Sequence, residues 1–277
     1  MRIIPADHIT ETVRDMCINA NCLLPEDVQQ ALCQACKTEQ SPTGRDILDK
    51  ILQNADIARE KYMPICQDTG MAVFFVEIGQ DVHVEGNLTD AINEGVRRGY
   101  SDGYLRKSIV SDPLERKNTG DNTPAVIHYS FIQGDKIALT LAPKGFGSEN
   151  MSAVHMFSPS EGVEAIKQFV VDTVDKAGAN PCPPIVVGVG IGGNLEKCAC
   201  LAKHALTQTK PNPNPYYAEM EQELLDRINQ LGIGPQGFGG TNTALAVHIE
   251  TFPTHIAGLP AAVNINCHVT RHVTEII

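Results

Sequence analysis

Nine cysteines punctuate this chain of 277 residues: Cys17, Cys22, Cys33, Cys36, Cys66, Cys182, Cys198, Cys200 and Cys267. The number is odd and no secretory leader is legible, so metal ligation or thiol chemistry is expected before a disulfide framework. Cys33-x-x-Cys36 has the spacing of a zinc or dithiol pair. It lies in a helical pattern, however, with no second Cys or His pair at ligand spacing, and reads as structural. Cys198 and Cys200 fall on opposite sides of a helix and cannot chelate one ion. Cys66, Cys182 and Cys267 are different. Each sits in a turn-like segment beside a β run, and the first two have prolines nearby. Thiolates projecting from three such segments would leave a cubane iron–sulfur cluster with one iron open to substrate. The competing reading of any lone cysteine is a small buried hydrophobe.

The glycines of Gly188-Val189-Gly190-Ile191-Gly192-Gly193 follow a strand and precede a helix, the context of a phosphate loop. Their spacing does not fit the dinucleotide fingerprint, and no acidic residue closes a following strand. A tight, sterically forced turn is the expectation.

Around these residues the chain changes texture. Residues 1–62 read as mainly helical: an amphipathic stretch from Ile9 to Ala20, a second helix opened by Pro25-Glu26-Asp27, and a third over 44–60. From 63 to 277 strands and helices mix. Strands are expected at 71–79, 185–193 and 243–250, and helices at 89–100, 160–177, 195–206 and 217–231. Two β runs within 125–144 flank Gly134-Asp135 and predict a hairpin. Residues 210–215, KPNPNP, must be a loop. The class is α/β with mixed α+β character: a helical N-terminal segment, then mixed sheets with surrounding helices in a single domain over 1–277.

Composition excludes several roles. Hydrophobic residues make up 42% and charged residues 20%, with a net charge of −11. So acidic a surface repels nucleic acid. No apolar run approaches the roughly 18 residues of a membrane span. The expectation is a cytoplasmic protein with no nucleic-acid or membrane partner.

Taken together, ICQDTG at 65–70, NTGDNTPA at 118–125, APKGFGSEN at 142–150, NPCPPIVVGVGIGG at 180–193, LGIGPQGFGG at 231–240 and NINCHVTRH at 264–272 resemble the class I, iron–sulfur-dependent fumarase family. The likeness is to its cluster-binding N-terminal domain or separate alpha subunit, and it spans most of the chain after residue 60. The resemblance implies a 4Fe–4S cluster on Cys66, Cys182 and Cys267, with an open iron acting as a Lewis acid. It implies that Gln67 binds substrate, that Asp68 takes part in proton transfer and that Arg106 clamps a carboxylate. Gly147 would turn its N–H to the substrate, and Lys144 would add positive potential. Asp68 also reads simply as a turn cap before Thr69-Gly70.

Members of the family hydrate fumarate to malate reversibly or dehydrate L-tartrate to oxaloacetate. The Lys-Gly-x-Gly-Ser-x-Asn form at 144–150 resembles the fumarases. The chain stops at Ile277, soon after the third cysteine, so the resemblance implies an alpha subunit that acts on a small dicarboxylate with a separate beta subunit, as α2β2. A rival reading is a non-catalytic scaffold subunit with a structural cluster or zinc. Closed coordination would need a fourth protein ligand, and no fourth cysteine stands in a comparable motif.

Overall fold

The structure is a computed structural model that describes residues 1–277. In chain order the elements begin with β1 (Arg2–Pro5), α1 (Ala6–Cys22), α2 (Glu26–Thr38), α3 (Pro42–Lys61), β2 (Met71–Gly79) and β3 (Val82–Glu85). Then come α4 (Leu88–Asp102), β4 (Val126–Ile132), β5 (Ile137–Lys144), the single turn α5 (Phe146–Glu149), β6 (Ala153–Phe157) and α6 (Gly162–Ala177). The chain ends with β7 (Ile185–Gly192), α7 (Leu195–Ala205), α8 (Pro215–Asn229), β8 (Ala244–Phe252), β9 (Leu259–Asn266) and β10 (Val273–Ile276). The mixed α/β class expected from the sequence is what the chain forms. No helix is long and apolar enough to cross a membrane.

The chain divides into two compact units. The first comprises Met1–Pro25, Asn54–Phe146 and Arg271–Ile277; the second comprises Glu26–Gln53 and Gly147–Thr270.

In the first unit a four-stranded sheet of order β10-β5-β2-β4 lies beside the pair α1 and α4. Val13, Cys17, Phe74, Ile92, Tyr100 and Leu141 are buried in one apolar core. The expected hairpin at Gly134-Asp135 does not form. Both β runs exist, but β2 lies between them, parallel to β4 and antiparallel to β5. The reason is visible in β2 itself: residues 72–76 are all buried, so the strand has apolar side chains for both faces and needs neighbours on both edges. The connection from β4 wraps the end of β2, where Gln80 N–H donates to Ile132 O at 3.0 Å and Asp81 N–H to Gly134 O at 2.9 Å.

In the second unit the sheet order is β6-β9-β7-β8. The glycines of β7 explain themselves here. A Cβ on Gly188 would stand 2.0 Å from Ala202 O, and one on Gly190 2.0 Å from Cys198 O. Both glycines lie within β7 and let the main chain of α7 rest directly on the strand, while Gly192 at its end has φ +93°. The expected turn therefore belongs only to the end of the motif, and close helix–strand approach accounts for the rest.

Candidate functional site

The segment 62–70 joins α3 to β2 in the first unit, and its main chain is held at many points. Ile65 N–H donates to Asn21 O at 2.9 Å, and Ile65 O accepts from Asn54 Nδ2 at 2.9 Å. The buried Thr69 hydroxyl donates to Arg106 O at 3.0 Å. Tyr100, fully buried, sets its hydroxyl 2.8 Å from Thr69 O and 2.9 Å from Gly70 O. Burial pushes that phenol's pKa up, so it stays a hydrogen-bond donor. Asn122 Nδ2 adds a bond to Gly70 O at 3.2 Å. Gly70 stands at φ +77°, and a Cβ there would meet the Lys144 main chain at 2.8 Å.

Within this frame Cys66 and Asp68 are half-buried and Gln67 is exposed. Asp68 Oδ1 accepts the Gly70 N–H at 3.0 Å, which is the expected turn cap. Its Oδ2 accepts the Phe146 N–H at 3.0 Å. Arg106 is exposed in the loop after α4, anchored by the buried Leu105. Lys144 is buried at the end of β5, with Nζ 3.4 Å from Gly145 O. Nearby, Asp121 fixes NTGDNTPA: burial alone would raise its pKa, but the Thr123 N–H and hydroxyl and the Arg97 guanidinium outweigh this and hold it at about 2.

The second unit brings two of the expected cysteines onto neighbouring loops. Cys182 is exposed at φ +56° and opens the turn into β7; Cys267 is half-buried directly after β9. The N–H of His268 donates to Cys182 O at 3.4 Å, and His268 Nδ1 lies 3.0 Å from the same oxygen. Thr270 Oγ1 donates to Cys267 O at 2.8 Å, and Gln236 donates to Pro183 O through its main-chain N–H and its amide. Gly147 is exposed in α5. The Glu149 carboxylate, two residues on, pairs with Lys203 on α7 and accepts from Asn264 Nδ2 on β9 at 2.9 Å.

The remaining six cysteines lie in helices, Cys200 half-buried in α7 with its thiol pushed up by burial. Cys17, Cys22 and Cys198 are buried, and burial pushes all three thiols up, which disfavours the thiolate a metal requires. Cys33 and Cys36 are half-buried on α2. A cavity of about 590 Å³ along α6 and β6 is lined by Met151, Phe157 and Phe169 and by none of the expected site residues.

No group of three Cys, His, Asp or Glu side chains is gathered at metal-holding distances. Cysteine thiolates are the donors that an iron–sulfur cluster takes. Cys66, Cys182 and Cys267 all escape full burial, each on non-helical main chain fixed on both sides by hydrogen bonds.

Sequence reasoning missed four supporting residues: Tyr100, Asn122, Arg271 and Glu39. Tyr100 ends the expected helix 89–100 and lies outside all six motifs. Arg271 stood inside the NINCHVTRH match without a role. Glu39 is 1% exposed, and its carboxylate accepts from Ser41, Thr241 and Asn242 N–H groups, holding the end of the LGIGPQGFGG segment.

The profile of the fumarate hydratase (Fumerase) family matches residues 10–275. The chain belongs to that family of hydro-lyases, on the alpha-subunit side of the class I fumarate hydratase and tartrate dehydratase group. Over 276 residues it is 40% identical to a protein of Methanocaldococcus jannaschii that bears the provisional name L(+)-tartrate dehydratase subunit alpha, covering 96% of each chain. It is 32% identical over 274 residues to the L(+)-tartrate dehydratase subunit alpha of Escherichia coli O157:H7, covering 97% of this chain and 90% of the other.

Proposed function

We propose that the chain is the alpha subunit of a two-subunit class I fumarate hydratase, which adds water reversibly across the double bond of fumarate to give L-malate. Cys66, Cys182 and Cys267 would hold a 4Fe–4S cluster. The observation that carries this reading is where the motif cysteines stand: each escapes full burial on pinned, non-helical main chain, while Cys17, Cys22 and Cys198 are buried and Cys33, Cys36 and Cys200 lie half-buried within helices. When bound, such a cluster supplies a Lewis-acid iron that lowers the pKa of an oxygen it holds.

The chain's own residues do the rest. Hydration puts a hydroxyl on one alkene carbon and a proton on the other, so a group must move a proton while the carboxylates stay fixed. Asp68 is the proton-transfer group, its carboxylate steadied by two N–H donors. Arg106 clamps a substrate carboxylate through its planar fork. Gln67 and the Gly147 N–H donate to substrate oxygens, and Lys144 adds positive potential. A separate beta subunit supplies the remaining groups, in an α2β2 enzyme of the cytoplasm.

A second reading, L-tartrate dehydration to oxaloacetate, is supported by the names of the relatives. The Lys144-Gly145-Phe146-Gly147-Ser148-Glu149-Asn150 form favours fumarate. The test is kcat/KM of the anaerobically reconstituted alpha–beta enzyme on fumarate, L-malate and L-tartrate. Fumarate preferred by at least about tenfold, or about 1.4 kcal/mol in transition-state binding, supports the first reading. The reverse preference replaces it with the second.

A further inference from the structure

Arg271 is only 2% exposed, yet no carboxylate pairs with it. Nη1 donates to Asn21 Oδ1 at 2.8 Å and Nη2 to the main-chain oxygen of Asp68 at 2.8 Å, both neutral acceptors. Nε is buried without a partner. A guanidinium cannot shed its proton to escape burial, as a lysine or histidine can. Buried charges are ordinarily paired, because desolvation is otherwise uncompensated. Fixing a carbonyl needs no charge at all; a neutral amide would serve. The fold thus keeps a full positive charge where hydrogen bonding alone does not require one.

Its place is specific. Asp68 O lies two residues past Cys66, on the same pinned loop. Gly145 lies against both groups: a Cβ there would stand 3.2 Å from Asp68 Oδ2 and 3.8 Å from Arg271 Nη2. A residue with any side chain would fill that gap.

We infer that Arg271 is a positioning residue that carries the buried positive charge of the site. It fixes the Cys66–Gly70 main chain, and its charge offsets that of an anion brought to this loop. The inference rests on the proposed function for the identity of that anion, either the dicarboxylate or the thiolate-held cluster. Arg271 touches neither the substrate nor the reacting atoms in this account; it acts through the loop and through its field.

The experiment uses the alpha–beta enzyme reconstituted anaerobically, with Arg271→Gln and Arg271→Lys. Iron and sulfide per chain, kcat and KM, the Ki of succinate as a non-reacting dicarboxylate, and amide exchange over 65–70 are measured for each. Arg271→Gln is expected to speed amide exchange at Thr69 and Gly70 by tenfold or more. If the charge serves the dicarboxylate, Gln raises the succinate Ki at least tenfold with iron unchanged, and Lys restores the Ki to within threefold. If it serves the cluster, Gln loses more than half of the iron and Lys retains it. A folded Arg271→Gln enzyme with wild-type iron and a succinate Ki within twofold overturns the inference. Should Gln prevent folding, Lys decides: a folded Lys variant that loses iron or succinate binding despite its charge also overturns it. A wild-type enzyme inert toward fumarate and L-tartrate would defeat the functional reading instead, while iron content and exchange rates would still judge Arg271.

Discussion

His268 Nδ1 lies 3.0 Å from the carbonyl oxygen of Cys182, so the residue after one candidate ligand holds the main chain of another. The same nitrogen lies 3.2 Å from Gln236 Nε2, whose amide also donates to Pro183 O, so the ring joins both loops. Replacing His268 by Ala removes the contacts to Cys182 O and Gln236 Nε2, about 1 kcal/mol of local stability. The larger effect expected is on loading: iron per chain after anaerobic reconstitution should fall well below wild type while the melting temperature moves little. Wild-type iron content in that variant would show that the tie is dispensable.

The cysteines should separate into two groups. Cys66→Ser, Cys182→Ser and Cys267→Ser are each expected to drop iron and sulfide below half of wild type with the fold intact. Cys17→Ser places a hydroxyl in an apolar site and should cost roughly 2 kcal/mol of stability, with iron per folded chain unchanged. Parallel metal analysis and urea unfolding check both; a full cluster in Cys182→Ser removes that residue from the ligand set.

Tyr100→Phe deletes the donor that serves Thr69 O and Gly70 O. Two buried carbonyls lose a partner, at a cost of about 1–3 kcal/mol. Because both oxygens belong to the Cys66 loop, kcat should fall with the stability. Activity measured well below the melting temperature distinguishes this from simple unfolding; an unchanged kcat there would make Tyr100 only a core residue.

Glu39 predicts a pH dependence of the second unit. Burial acts to raise its pKa, but the Asn242 side chain and the Ser41, Thr241 and Asn242 N–H groups prevail and lower it. A carboxylate whose folded pKa is depressed contributes stability that is complete above its unfolded pKa, near 4.3, and is lost as pH falls through the lower folded value. Glu39→Gln should therefore cost on the order of 3 kcal/mol at pH 7, and that deficit should shrink as the pH falls below about 4. Urea midpoints of both proteins across this range provide the measurement. A deficit that stays constant on acidification would contradict the assignment.

Gly190→Ala should fail for steric reasons. Its Cβ would stand 2.0 Å from Cys198 O, which is main chain and cannot swing aside. Separation of α7 from β7 should cost at least about 3 kcal/mol, seen as loss of soluble protein or a much lower melting temperature. A soluble variant of wild-type stability would refute the close-approach account of this glycine.

The sequence by itself determined most helices and the strands β2, β5, β7 and β8, because each carries a local period or a continuous apolar run. It also determined the family, through six short motifs in order, and so the residues to examine. It could not give the partners of those strands. β4 and β5 are adjacent in sequence with turn residues between them, yet β2 separates them, because a strand buried on both faces takes a central place and that competition is not local. The supports of the site were hidden for the same reason. Arg271 lies 203 residues from Asp68 and Glu39 lies 203 from Asn242, and neither pairing leaves a trace in spacing. Periodicity shows which face of a residue is buried; only the folded chain decides which distant carbonyl a buried tyrosine or arginine must satisfy.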